Sequence, residues 1–318
     1  MSLSIELKGL ARWYGRVVGL IEADLQFGSG VTGILGPNGA GKSTLLNLVT
    51  GQIRPSRGSV LIDGQTIWNQ PLLYRRIGFC PEGDRFYWSM TGLQFVTELT
   101  AMHGFSRQEA EAKARKSLGK LGMSDAMHRR INTYSKGMRQ RTKFAQALAH
   151  DPDILVLDEP LTGTDPQGRR LLIDQITTLG ESGKTVLVSS HILHEVEAMT
   201  DQVVVVHQGR IRASGSVSEI RNLLDHFPMQ IRISGDNLRP LAQALLSIED
   251  VVSAELHQND RQLFVKTRQA SSVYRVLPEL ICSLQLNVEE IEGEDSSLEA
   301  VFDYLMAGVS ARLRGSLR

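Results

Sequence analysis

The segment Gly36-Pro37-Asn38-Gly39-Ala40-Gly41-Lys42-Ser43-Thr44 fits the pattern G-x-x-x-x-G-K-[ST]. Such a segment is suited to holding phosphate. Phosphate oxygens need a concave surface of backbone N–H groups, and glycines let the chain take that curvature. A helix that follows the loop aims its positive end at the same anion. Lys42 can then reach β- and γ-phosphates, and the Ser43 hydroxyl can serve Mg2+. A second segment, Ile154-Leu155-Val156-Leu157-Asp158-Glu159-Pro160, is an apolar run that ends in two acids. A buried strand carries acids only at its end, where a cation or a cavity offsets their desolvation. There Asp158 is suited to hold Mg2+ through its water shell, and Glu159 to orient or deprotonate an attacking water. The plainer alternative is a strand that meets a polar loop.

Both segments need strands behind them. Residues 4–7, 17–27, 31–35 and 60–62 read as strands, and 43–50 as the helix that must follow the glycine loop. From about residue 86 to 150 helical periodicity takes over, which predicts a helical insert whose last helix spans 136–150. Strands at 154–157, 185–189 and 202–207 alternate with helices at 169–179 and 192–199. That alternation predicts an α/β core with a parallel sheet. The pattern changes near 223–228. Strands at 230–234, 251–257, 262–267 and 286–291 and helices at 238–246 and 273–284 give the order βαββαβ of a small ferredoxin-like α+β domain. The expected organisation is thus 1–222, with the helical subdomain at about 86–150, and 223–318, closing with a helix at 297–306 and a disordered tail.

Taken together, the phosphate loop and the acid strand resemble those of the ATP-binding cassette (ABC) ATPases, over roughly residues 3–214. Between them, Tyr134-Ser135-Lys136-Gly137-Met138-Arg139-Gln140 is similar to the family's signature motif, commonly LSGGQ; Lys136 and Met138 depart from it. A serine hydroxyl and a glycine N–H at a helix start make a second anion site. The resemblance implies that Ser135 and Gly137 reach the ATP of another subunit. It also implies that Asp165, in Leu161-Thr162-Gly163-Thr164-Asp165-Pro166, lies in the loop linking two sites, with Thr164 where leucine is usual. It makes His191 the switch histidine at the γ-phosphate and Tyr14 the aromatic that stacks on adenine, with Trp13 as competitor. The fold implied is a P-loop NTPase core of ABC type with a helical subdomain. ATP and Mg2+ are the implied ligands, and Lys42, Glu159 and His191 the catalytic residues.

One position departs in a way that matters. Glu82, in Ile77-Gly78-Phe79-Cys80-Pro81-Glu82, stands where the family's loop ends in glutamine. A carboxylate can still bind Mg2+ but cannot donate an amide hydrogen bond. Glu82 is therefore a metal candidate, with a solvated loop acid as the alternative. Just after it come Phe86, Tyr87 and Trp88, and interface cores favour aromatics. These three are expected to dock a transmembrane permease; the alternative is that they fill the helical subdomain's own core. The segment Ser297-Leu298-Glu299-Ala300-Val301-Phe302 resembles the ending of ATPase subunits of drug, lipid and polysaccharide exporters.

Composition bounds the rest. Basic and acidic residues number 35 each, so bulk charge gives no reason to expect nucleic acid. No apolar run is long enough to cross a membrane, and residues 1–15 lack the apolar run of a signal peptide. A cytoplasmic protein held at the membrane's inner face by a permease is expected, with reduced Cys80 and Cys282. The resemblance implies the ATPase subunit of an exporter that closes and opens as a dimer, by expectation a homodimer. The other readings are a soluble ABC-type ATPase outside transport and a weakly hydrolysing regulator, for which Glu82 alone argues.

Overall fold

The computed structural model describes residues 4–217, 219, 229–257, 260–268 and 270–293. The chain forms two compact units, Met1–Gly215 and Ser216–Arg318. The expected junction at 222/223, the expected last helix and the expected disordered tail lie outside the described residues.

In the first unit, β1 (Ile5–Tyr14) pairs antiparallel with β2 (Val17–Phe27). Then β3 (Gly30–Leu35) enters a different sheet and leads through the glycine loop into α1 (Lys42–Val49). The chain returns to the first sheet as β4 (Arg57–Ile62) and β5 (Gln65–Thr66), completing the order β2-β1-β4-β5. A short α2 (Pro71–Tyr74) precedes β6 (Ile77–Cys80). Next come the helices α3 (Gly92–Ala101), α4 (Arg107–Lys120) and α5 (Lys136–Ala149). The first two start at reciprocal capping boxes, Thr91 with Gln94 and Ser106 with Glu109, which fixes their starts locally.

The remaining elements of this unit are β7 (Ile154–Leu157), α6 (Pro166–Glu181), β8 (Thr185–Ser190), α7 (Leu193–Glu197), β9 (Gln202–His207) and β10 (Arg210–Ser216). The second sheet has the order β10-β9-β3-β8-β7-β6, and β9, β3, β8, β7 and β6 run parallel. Its parallel strands are largely buried on both faces, with side chains alternating between two cores, while β10 at the edge is not. Leu155, Leu157, Val186 and Val188 join the core beneath the helical subdomain, which includes Phe144, Leu118 and Phe95. Ile154, Val156 and Leu187 join the core under β1, β4 and α1. Two strands of the second sheet, and β5 of the first, have no counterpart in the sequence reading. β6 is four residues long, and its Gly78 admits α5 so closely that a Cβ there would lie 2.1 Å from the Ala147 carbonyl oxygen. β10, with the sequence RIRASGS, carries little apolar pattern.

The second unit holds β11 (Met229–Gly235), α8 (Arg239–Leu245), β12 (Val251–His257), β13 (Gln262–Thr267), α9 (Ala270–Ser283) and β14 (Val288–Gly293). The sheet order β12-β13-β11-β14, antiparallel throughout, is the ferredoxin-like arrangement. Ile231, Ile233, Leu263 and Val265 point from one face onto Leu241, Leu245, Val273 and Leu277 of the helices. The opposite face carries ion pairs, among them Arg232 with Glu292 and Lys266 with Glu255.

Candidate active site

Parallel register gathers the chemistry at one end of the second sheet of the first unit. Leu35 of β3 sits opposite Ser190 of β8, and Leu157 of β7 opposite Val188 of β8. The segments leaving these three strands therefore start side by side, which is where open α/β sheets place ligands. They are the glycine loop, the Asp158-Glu159 pair and His191.

The glycine loop is held from outside. Ala40 O accepts from Gly209 N at 2.8 Å, and Gly209 O accepts from Ile21 N at 2.7 Å. Gly41 has φ of 112°, and a Cβ there would lie 2.5 Å from Gly19 O, so only glycine fits. No side chain caps the start of α1 and its first turn holds no acid. Its N-terminal dipole therefore stays available for an outside anion.

Lys42 and Glu159 are buried together at the loop. Lys42 Nζ donates to Gly36 O at 2.7 Å and lies 3.2 Å from Glu159 Oε1, which accepts no well-aligned hydrogen bond. Glu159 Oε2 lies 2.9 Å from His191 Nδ1; a carboxylate only accepts, which puts the hydrogen on Nδ1. Ser189 ties the two acids together. Its Oγ donates to Asp158 Oδ1 at 2.6 Å and accepts from Glu159 N at 2.9 Å. Glu159 has φ of 48°, a left-handed backbone that costs on the order of 1 kcal/mol in a non-glycine residue. Such strain persists where surrounding bonds over-determine it, as the Ser189 and Gln140 contacts do here.

Glu159 opens into a cavity of about 360 Å3 lined by Tyr14, Val17, Val18, Gly19, residues 37–44 and Glu82. The structure thus brings Tyr14, Glu82 and Glu159 to the glycine loop. The Tyr14 ring is exposed, with the Arg12 guanidinium 4.9 Å from its centroid. Trp13, the competing aromatic, does not line the cavity. Asp158 and Gly36 sit behind its wall, and His191 reaches it through Glu159. Ser135, Gly137 and Asp165 are elsewhere. Ser135 caps α5 by accepting from Met138 N at 3.2 Å, and Asp165 caps α6 by accepting from Gly168 N at 2.6 Å. A Cβ on Gly137 would meet Thr164 Cα at 3.6 Å, so the start of α5 and the 161–165 loop form one surface apart from this chain's own cavity.

One expectation is corrected. Phe86 is 8% exposed, packed 4.9 Å from the Phe95 ring centroid inside the helical subdomain, so it fills that core and faces no partner. Tyr87 and Trp88 are exposed. Sequence reasoning missed Ser189, Gln140 and the Ser190–Glu195–Arg169 chain beside the site. The polar pair Ser189-Ser190 closing an apolar strand was the available signal. Cys80 is buried, which pushes its thiol up to about 12, and Cys282 is exposed. Among the described residues no group of three or more His, Cys, Asp or Glu side chains could cage a metal, and no helix is long and apolar enough to cross a membrane. A site for Mg2+ needs no such cage, because carboxylates and substrate phosphates share the ion. The donor set here, Ser43 with Asp158 and Glu82 beside a phosphate loop, fits that division.

Comparison with known proteins agrees with this geometry. The model of the family described as ABC transporter matches residues 21–162. The daunorubicin/doxorubicin resistance ATP-binding protein of Streptomyces peucetius is 32% identical over 94% of this chain and 91% of its own length. The linearmycin resistance ATP-binding protein of Bacillus subtilis is 28% identical over 94% and 96%. Among solved structures, the ATP-binding subunit of an ABC transporter superposes with a TM-score of 0.63 at 29% identity, covering 69% of this chain and 92% of that one. The chain belongs to the ABC transporter ATP-binding proteins and is an ATPase of that family.

Proposed function

We propose that this chain is the ATP-hydrolysing subunit of an exporter whose membrane-spanning permease is a separate chain, and that it works as a dimer. The observation that carries the reading is the buried contact of Lys42, Glu159 and His191 at the glycine loop. A lysine and a carboxylate buried in contact are costly to desolvate, and such groups cluster at functional sites.

Tyr14 stacks on adenine, and the N–H groups of the glycine loop and α1 take the phosphates. Lys42 then leaves Gly36 O and Glu159 for phosphate oxygens. Glu159 Oε1 loses its cation and is free to accept a proton from the attacking water. His191 steadies the carboxylate through Oε2 and reaches toward the γ-phosphate. Ser189 holds Asp158 and the Glu159 N–H, so neither acid drifts as charge moves. Ser43, Asp158 and Glu82 would hold Mg2+, which would supply positive charge beside the phosphates. Ser135 and Gly137 of a second copy close over the γ-phosphate. Their position outside this chain's own cavity supports that division of labour, and Asp165 at the start of α6 links the two sites.

The output surface is the exposed pair Tyr87 and Trp88. A short permease helix docks there, which keeps the chain at the cytoplasmic face of the membrane. The drug-resistance names of the relatives support export as the direction. The test is thiol crosslinking. In a Cys282→Ala background Cys80 stays silent, because it is buried. Tyr87→Cys, co-expressed with the membrane-spanning chain it is proposed to drive, is expected to crosslink to that chain. A site-specific thiol on the exposed face of the second unit, such as Glu255→Cys, is expected not to. Equal crosslinking by both positions, or by neither, would contradict the docking surface.

A further inference from the structure

Lys143 lies among the apolar residues of α5 and is 4% exposed. Burying an ammonium is costly unless its donors are met. Its Nζ donates to Pro81 O at 3.0 Å and Glu82 O at 2.6 Å, and lies 3.4 Å from Asp84 Oδ1. The N–H groups of one ammonium thus face acceptors from a single short loop, the loop that carries Glu82 into the cavity. One turn earlier on α5, Arg139 Nε donates to Asp84 Oδ2 at 2.7 Å and Nη1 donates to Tyr134 O at 2.8 Å. The same guanidinium sits 5.8 Å from the Trp88 ring centroid. Asp84 therefore ties two cations of α5 to the loop. One of them also holds the residue before Ser135 and borders the exposed aromatic.

We propose that Lys143, Arg139 and Asp84 form a clamp that positions Glu82 for ATP hydrolysis and couples its loop to the start of α5. None of the three lines the cavity, so they are positioning residues, acting through Glu82. The physical need is specific to this chain. Glu82 is a carboxylate facing a phosphate site that already contains Glu159, and a misplaced negative charge there opposes phosphate binding. β6 is only four residues long and the loop after it is exposed, so the strand alone does not fix the loop. Two backbone carbonyls tied to a buried ammonium do fix it. The inference rests on the reading of Glu82 as a group that meets Mg2+ or water in this cavity.

The test is a double-mutant cycle on full-length protein with Mg2+-ATP. The variants are Asp84→Asn, Lys143→Met, Glu82→Ala and the Asp84→Asn/Glu82→Ala double, with thermal unfolding recorded for each. Asp84 is partly exposed, so Asp84→Asn decides the matter if Lys143→Met fails to fold. The clamp predicts that Asp84→Asn lowers kcat about tenfold and leaves KM for ATP within about a factor of two. It predicts no further loss when Asp84→Asn is added to Glu82→Ala. Hydrogen exchange on the nucleotide-free protein is expected to speed up at residues 82–85 in Asp84→Asn. Parent-like kcat in both clamp variants, losses that multiply in the double, or unchanged exchange overturns the clamp. A slow Glu82→Ala beside a fully active Asp84→Asn overturns the clamp alone. A fully active Glu82→Ala overturns the reading of Glu82, and the clamp with it.

Discussion

The two units of this chain bury different things. In the first, Lys42, Gln140, Lys143, His150, Asp158, Glu159, Ser189, Ser190 and Glu195 are buried polar or charged side chains. In the second, Thr267 is the one fully buried polar residue among the described residues, with the Ser253 hydroxyl also shielded, beside a core of Ile231, Ile233, Leu241, Leu245, Leu263 and Val265. Its charges sit at the surface, as in the Arg239–Asp260 pair. A stable α+β fold therefore needs almost no buried polarity. The charged side chains buried in the first unit, Lys42, Lys143, Asp158, Glu159 and Glu195, follow β3, β7 and β8 or lie on α5. Desolvated charge is expensive, and it is kept where charge must be handled.

The comparison can be broken in several ways. The largest effects belong to the cores. Phe144→Ala, in the core under the helical subdomain, is expected to cost about 3–5 kcal/mol. Leu263→Ala in the second unit is expected to cost about 2–5 kcal/mol of that unit's stability while leaving KM for ATP unchanged. Denaturant unfolding with a nucleotide-binding readout separates the two. If Leu263→Ala weakens ATP binding as much as Phe144→Ala does, the division of labour between the units is wrong.

Next comes the site itself. Lys42→Ala is expected to lower phosphate release by on the order of a hundredfold or more, because no other side chain in the cavity brings a cation to the phosphates. Activity within a few fold of the parent would sever the link between buried charge and chemistry.

A pH effect follows for the first unit. His150 stacks on His103 with ring centroids 3.7 Å apart, and its Nε2 lies 3.0 Å from Ile77 O. Burial, with the neighbouring His103, pulls the His150 pKa down from 6.5 to about 4. The folded value is below the unfolded one, so the unfolded chain binds more protons between these limits. The stabilisation is complete above pH 6.5 and is lost as pH falls toward 4. The contribution is on the order of 3 kcal/mol. His150→Leu is expected to flatten the pH dependence of unfolding in that window. An unchanged slope would mean that other groups carry it. The smallest effect is expected at the surface of the second unit, where Arg239→Ala should leave the denaturation midpoint indistinguishable from the parent's, because the Arg239–Asp260 pair is screened by solvent.

Contiguous segments were the readable part of this molecule. The glycine loop carries its own curvature and cation within nine residues, 36–44, and the acid pair closes its own strand. Alternation gave β12 and β13 their bounds, 251–257 and 262–267, because one face of that sheet is buried and the other wet. What stayed hidden depends on distant neighbours. Lys143 meets Pro81, Glu82 and Asp84 only because Gly78 lets α5 lie close on β6. Phe86 sits in the same aromatic run as Tyr87 and Trp88, and which of them turns inward is decided by Phe95, on a helix that begins later.

The most direct test of the account is the solution mass of Glu159→Gln, measured by light scattering with and without Mg2+-ATP. The substitution leaves the phosphate site standing and removes the proposed base. The account predicts 35.2 kDa without nucleotide and twice that mass with it, because Ser135 and Gly137 of one copy complete the cavity of the other. A variant that binds ATP and stays at 35.2 kDa would contradict the two-copy site.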